Sequence, residues 1–170
     1  MMKIIRYSLR DHHEIPWIIL FTGTLGASTL VMTWISQSYF SLVGLPIVYF
    51  VAVWAVLNLS IVLFSLWAHD IESILGRRSS LILLAILPVI GYFGLSFVSS
   101  LFGIGLIFLF YFARAFGIVV LNDYVNRAVA SDIRATVLSI QALSWRAVFA
   151  IIGPFIGWMS DVYSLQMALL

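Results

Sequence analysis

The chain has 170 residues, of which 63 % are hydrophobic and 9 % charged, and its net charge is +2. Soluble domains carry about 25 % charged residues, so charges this sparse exclude an ordinary watery surface, and the composition reads as an all-α, polytopic membrane protein with the lipid bilayer as its first partner. The absence of cysteine excludes disulfide staples, thiolate metal sites and catalytic thiols, and so small a net charge gives no argument for nucleic acid.

Residues 1–16 read as a cytoplasmic lead-in. Lys3, Arg6 and Arg10 precede an apolar run that is longer than a signal-peptide core and lacks a small-residue cleavage pattern. The word "DHHE" at Asp11–Glu14 has metal-binding residue types. Adjacent histidines on a helix, however, point about 100° apart, whereas a helical zinc motif sets its histidines four residues apart. No metal site and no cofactor is expected.

Crossing a bilayer takes about 20 apolar residues. Five runs qualify, at about 17–36, 47–68, 81–99, 101–121 and 135–159, so residues 17–170 read as one transmembrane helical bundle. Residues 165–170 look like the opening of a sixth run. The first span places Thr22, Gly26, Thr29, Thr33 and Gln37 on one face, and the second carries Asn58. Between the second and third lies "HDIESILGRRSS", with Gly76, Arg77 and Arg78. A hinge near Ser99–Ser100 separates the third from the fourth.

The fourth span contains Arg114, eight residues before Asn122 and so about 12 Å from that edge. Its 14 Leu, Ile, Phe and Val residues offset one arginine, which costs about 2.5–3.5 kcal/mol at a span centre. The loop "NDYVNRAVASDIR" follows, with Asn126, Arg127 and Arg134. Asp123 and Arg127 are one helical turn apart, and Asp132 falls where the fifth span starts, where a negative charge suits a helix N-terminus.

The fifth span has only 10 such apolar residues and carries Gln141, Arg146 and Pro154, so it inserts marginally without neighbours. Ala135, Ser139, Ala142, Arg146, Ala150, Gly153 and Gly157 fall within about an 80° stripe. Small residues on one face describe a tight helix contact or a pore lining, with Gly153 and Gly157 as a small-xxx-small pair. Two roles stay open for Arg146 and Arg114: facing a watery cavity, or bonding helix-end carbonyls to fix packing. Asn58 and the threonines read more simply as packing hydrogen bonds. None of the five spans holds an acidic residue, so a partner for either arginine at its own depth would be an anionic solute, another segment or water.

Orientation follows from lysine and arginine. A cytoplasmic N-terminus puts Lys3, Arg6, Arg10, Arg77, Arg78, Arg127 and Arg134 inside and none outside, and with five spans the C-terminus lies outside. Enzyme activity finds no support: the spans have no paired carboxylates, and the chain has no cysteine nucleophile and no His-Glu-x-x-His.

"NR" at Asn126–Arg127, "RATVLS" from Arg134 to Ser139 and "GPFIGWMSD" from Gly153 to Asp161 together resemble the tenth-to-eleventh helix region of major facilitator superfamily transporters. "LGRR" at Leu75–Arg78 resembles that family's loop between helices eight and nine. Of the loop signature it keeps Gly76, Arg77 and Arg78, with His69, Ser73 and Ile74 at the other anchor positions. The resemblance implies the C-terminal half of a secondary transporter, helices seven to eleven, moving a small solute by alternating access. It also implies cavity residues among Arg146, Arg114, Asn58, Gln37, Thr33 and Gln141, and a cytoplasmic gate among Gly76, Arg77, Arg78, Asn126, Arg127 and Arg134. Gly153, Pro154 and Gly157 would serve helix packing. Alternating access rocks one bundle against another, so transport would need a separately encoded N-terminal half or a second copy of the chain. The two arginines favour an anionic solute. The competing expectation is a membrane-embedded fragment or small interaction protein that transports nothing.

Overall fold

A computed structural model describes residues 14–170. The regular elements among them are all helical: α1 (Glu14–Leu42), a 3-10 turn (Ile47–Tyr49), α2 (Phe50–Phe97), α3 (Gly103–Ala128), α4 (Arg134–Val162) and the short α5 (Leu165–Ala168). Four segments are long and apolar enough to cross a membrane: Ile15–Leu42, Ile47–Phe97, Gly103–Ala128 and Arg134–Val162. Large apolar side chains such as Trp17, Trp34, Val51, Leu66 and Ile151 lie on the outside, as suits a fold whose solvent is hydrocarbon.

Three of the five expected runs map to one helix each: α1 and α4 extend past theirs at both ends, whereas α3 starts two residues later and ends seven later. Residues 37–42 continue α1 and residues 122–128 continue α3, where connecting loops were expected. The second and third runs fall within the single element α2, because "HDIESILGRRSS" is helical except at Gly76, whose backbone is at φ 74°, ψ 164°. A straight helix of 48 residues would measure about 72 Å. Yet Leu57 and Leu95, near its two ends, share one buried cluster with Tyr39, Phe40, Ile107 and Phe110. The chain therefore doubles back at Gly76.

Both limbs of α2 run along α3, in opposite senses. On the first limb, Phe64 meets Phe112 edge-on at 5.2 Å between ring centroids, and the Tyr124 hydroxyl donates to Glu72 Oε1 at 3.0 Å. On the second, Gly91 lies against Phe110 and Gly94 against Leu106, while Leu84 approaches Gly117. Residue numbers rise together along the first limb and run opposed along the second.

Helix α1 ends on a glycine turn. The Leu45 N–H donates to the Phe40 carbonyl at 3.0 Å and the Gly44 N–H to Ser41 at 3.2 Å, with Gly44 at φ 73° and Pro46 following. This satisfies carbonyls that the helix end would otherwise leave open. Along its length the hydroxyls of Thr22, Thr24, Ser28, Thr29, Thr33, Ser36 and Ser41 donate to carbonyls of the same helix, three or four residues back. These seven hydroxyl protons are thus satisfied within the helix itself.

Helix α1 packs on α3 and α4. A Cβ added at Gly117 would lie 2.8 Å from Leu25, and one at Gly26 would lie 2.6 Å from the Trp145 Cβ. Toward the other end of α1, the Tyr39 hydroxyl donates to the Val98 carbonyl and its ring abuts Gly103. Asp132 stands in the turn before α4, whose N-cap is Ile133 with no side-chain capping bond. The expected sixth run holds the four-residue α5.

Candidate functional site

Several of the polar side chains that the sequence places in the spans meet at one cavity of about 270 Å³ between α1, α3 and α4. Thr22 and Thr29 reach it from α1, Arg114 and Asn122 from α3, and Gln141 and Trp145 from α4. Leu25, Ile118, Leu121 and Leu138 supply its apolar walls. Helical spacing explains the α1 contribution: Thr22, Gly26 and Thr29 recur every three to four residues, so one face presents hydroxyls while Gly26 admits Trp145. Thr33, one turn further on, lies outside the lining.

Arg114 sits 11 residues into a 26-residue helix and so lies near its middle. The Arg114 guanidinium donates to Thr33 Oγ1 at 3.4 Å. Among the described residues it meets no carboxylate. Gln141 is 3 % exposed; its Nε2 donates to Thr22 Oγ1 at 3.1 Å, and its Oε1 is buried with no donor. Thr22 donates its own proton to the Ile18 carbonyl at 2.7 Å, which fixes the amide's sense, because turning it over would set two oxygens with no shared proton face to face.

The other cavity candidates lie elsewhere. Asn58 donates to the Trp54 carbonyl of its own helix at 2.8 Å, and Gln37 is exposed. Arg146 is exposed, its guanidinium lying 4.9 Å from the centroid of the Trp145 ring. It flanks a cavity residue without lining the cavity. Of the small-residue stripe, Ala135, Ser139, Ala150 and Gly157 are exposed. The close approach between α1 and α4 uses a different face of α4, that of Gln141, Ser144 and Trp145. The atoms nearest a Cβ at Gly153 would be those of Phe149 on its own helix, and one at Gly157 would meet nothing within 4 Å. Pro154 is exposed too. Among the described residues the tight contact expected of that stripe is therefore not made.

The expected gate residues gather at one end of the helices. Gly76 forms the bend of α2. The Arg77 guanidinium lies 5.1 Å from the Tyr124 ring centroid and borders a cleft with Glu72, Tyr124 and Arg127. Arg127 pairs with Asp123 at 2.6 Å, as their spacing predicts. Arg134 donates from Nη2 to the Val129 carbonyl at 3.4 Å, while Arg78 and Asn126 are exposed. Residues 1–13, which hold Asp11, His12 and His13 of "DHHE" as well as Lys3, Arg6 and Arg10, lie outside the described residues.

Sequence reasoning missed Asn122, Leu138 and Trp145 as cavity walls, and it missed the contact of Glu72 with Tyr124. The cavity residues recur at helical spacing, but nothing in the sequence says which helix lies opposite them. Set against protein-family models, curated proteins and solved structures, the chain matches none.

Proposed function

We propose that this chain is one bundle of a secondary transporter, of the type seen in the C-terminal half of the major facilitator superfamily, and that it moves a small solute together with a second bundle. The reading is carried by the cavity between α1, α3 and α4, where a cation that meets no carboxylate among the described residues stands near mid-helix beside a buried amide. Ionisable groups at such depth mark solute paths, and carriers bind at the midplane between two bundles.

Three further features support it. The opposed limbs of α2 accord with two crossings, hence five in all, each antiparallel to the next. Arg77 and Arg127 border one cleft, and Arg77 also borders a cavity with Trp17 near the start of α1. The opposite end, around Tyr39, Ser99 and Ser100, has no lysine or arginine in its loops, which fits a cytoplasmic N-terminus and an outer C-terminus. The outward stripe on α4, with Arg146 in its middle, is the surface we assign to the second bundle, whether a separately encoded half or another copy.

The test is uptake of radiolabelled small organic anions into proteoliposomes, with the chain alone and with whatever membrane chain co-purifies with it. Uptake that is lost in Arg114→Gln is expected. Failure of every combination to transport would leave the non-transporting membrane protein as the better reading.

A further inference from the structure

We infer that the groove between α1 and the second limb of α2 seats an anionic phospholipid of the cytoplasmic leaflet, with its phosphate at Arg77 and an acyl chain against Leu20, Phe21, Leu81 and Leu121. The groove uses Trp17, Leu20, Phe21 and Thr24 of α1, whereas the solute cavity uses Thr22, Gly26 and Thr29. The inference therefore stands whether or not the chain transports.

The second limb of α2 starts at the Gly76 bend, where Arg77 borders a cavity with Trp17 near the start of α1. Further along, Tyr92 meets Ser28, so residue numbers rise together and the two helices leave the same end. The cavity between them measures about 590 Å³ and is walled by Trp17, Leu20 and Phe21 of α1, Leu81 of α2 and Leu121 of α3. It reaches from Trp17 to Thr24, about 10 Å of helix rise. Near the middle of α1 the Tyr92 hydroxyl donates to the Ser28 carbonyl at 2.6 Å. That bond ties the two helices, so the gap before it lies within one leaflet.

The chemistry of the lining names the occupant. The Thr24 hydroxyl is already committed to the Leu20 and Phe21 carbonyls of its own helix, so the interior of the groove asks for an apolar guest. Among the described residues the lining holds one cation, Arg77, and no carboxylate. Trp17, in the same lining, is 71 % exposed, and tryptophan collects at headgroup level, which sets the guanidinium at phosphate depth. Arg77 lies over the Tyr124 ring, and a guanidinium with five N–H donors can hold a phosphate alongside other partners. Basic pockets between helices on the cytoplasmic side bind lipid headgroups, and that leaflet is the anionic one. A small free anion would leave the apolar interior unfilled, and a zwitterionic lipid brings the cation no net charge.

Titration of the purified chain in non-ionic detergent, read by native mass spectrometry, compares phosphatidylglycerol with phosphatidylcholine of the same acyl chains. Phosphatidylglycerol should bind about fivefold tighter, the worth of one cation beside an anionic headgroup. Arg77→Gln should erase that preference, and Arg77→Lys should keep most of it, since the charge remains. Arg78→Gln should leave it in place, because Arg78 is exposed and outside the lining. Leu20 is exposed, so Leu20→Trp should fill the groove and displace both lipids while the thermal unfolding midpoint holds. Equal affinity for the two lipids in the unaltered chain overturns the inference. So does a preference that Arg78→Gln lowers as far as Arg77→Gln does, which marks diffuse attraction to the basic loops. Phosphatidylglycerol binding that survives Leu20→Trp overturns the seated acyl chain, and a dimer that Leu20→Trp splits gives the groove to a helix of a second copy instead.

Discussion

At the scale of single residues, glycines fall into two kinds. Gly26 faces the Trp145 Cβ at 2.6 Å and Cγ at 2.9 Å, atoms tied closely to the α4 backbone that cannot swing aside. Gly26→Ala should therefore cost about 1–3 kcal/mol, the range for overpacking, and lower the thermal unfolding midpoint in detergent. Gly157 has open space around its missing Cβ. Gly157→Ala should leave that midpoint unchanged or raise stability by up to about 1 kcal/mol through helix propensity, yet reduce uptake if the outward face of α4 meets a second bundle. Arg146→Leu should insert its helix better, by about 3 kcal/mol on the insertion scale, and abolish uptake; unaltered uptake would reduce Arg146 to a packing residue. The sequence allowed Arg114 and Gln141 to be singled out because a polar group amid apolar residues is conspicuous. It gave no means of separating them from Asn58 and Gln37, since a helix can satisfy an amide with its own carbonyl, as Asn58 does with Trp54.

At the scale of elements, the apolar runs were legible because length and hydropathy alone decide what crosses hydrocarbon. The joints were less so. "HDIESILGRRSS" carries charges and serines, yet helical hydrogen bonding continues through it on both sides of Gly76. One residue makes the bend, at φ 74°, ψ 164°, a region open almost only to glycine. No atom lies within 4 Å of an added Cβ there, so a substitution is penalised by backbone strain alone. Gly76→Ala should cost about 1–3 kcal/mol. Gly76→Asn should be no milder, because asparagine's tolerance is for the left-handed helical region and not for this one. Unfolding midpoints in which alanine matches glycine would show that the bend does not depend on that conformation.

At the scale of the molecule, the doubling back of α2 makes a topological prediction that a chain without cysteine tests cleanly. Single cysteines at Ser79 and Asn126, both exposed, should react with an impermeant thiol reagent only from the cytoplasmic side. Those at Ser41 and Ser99 should react only from outside. Labelling of Ser79 and Ser99 from one side would mean that the second limb of α2 does not cross. Which bundle faces α4 was not legible, since a stripe of small residues records that something packs closely but not what.

The self-satisfied hydroxyls of α1 have a consequence of their own. Each has committed its proton to a carbonyl of its own helix, so what it shows its neighbours is lone pairs. The helix thereby becomes a rail of acceptors, and the two side chains that dock on it across the cavity, Arg114 at Thr33 and Gln141 at Thr22, both do so as donors. Serine could stand in for either threonine and keep the rail's polarity, whereas valine, identical in outline, would strand a guanidinium or an amide against a methyl group.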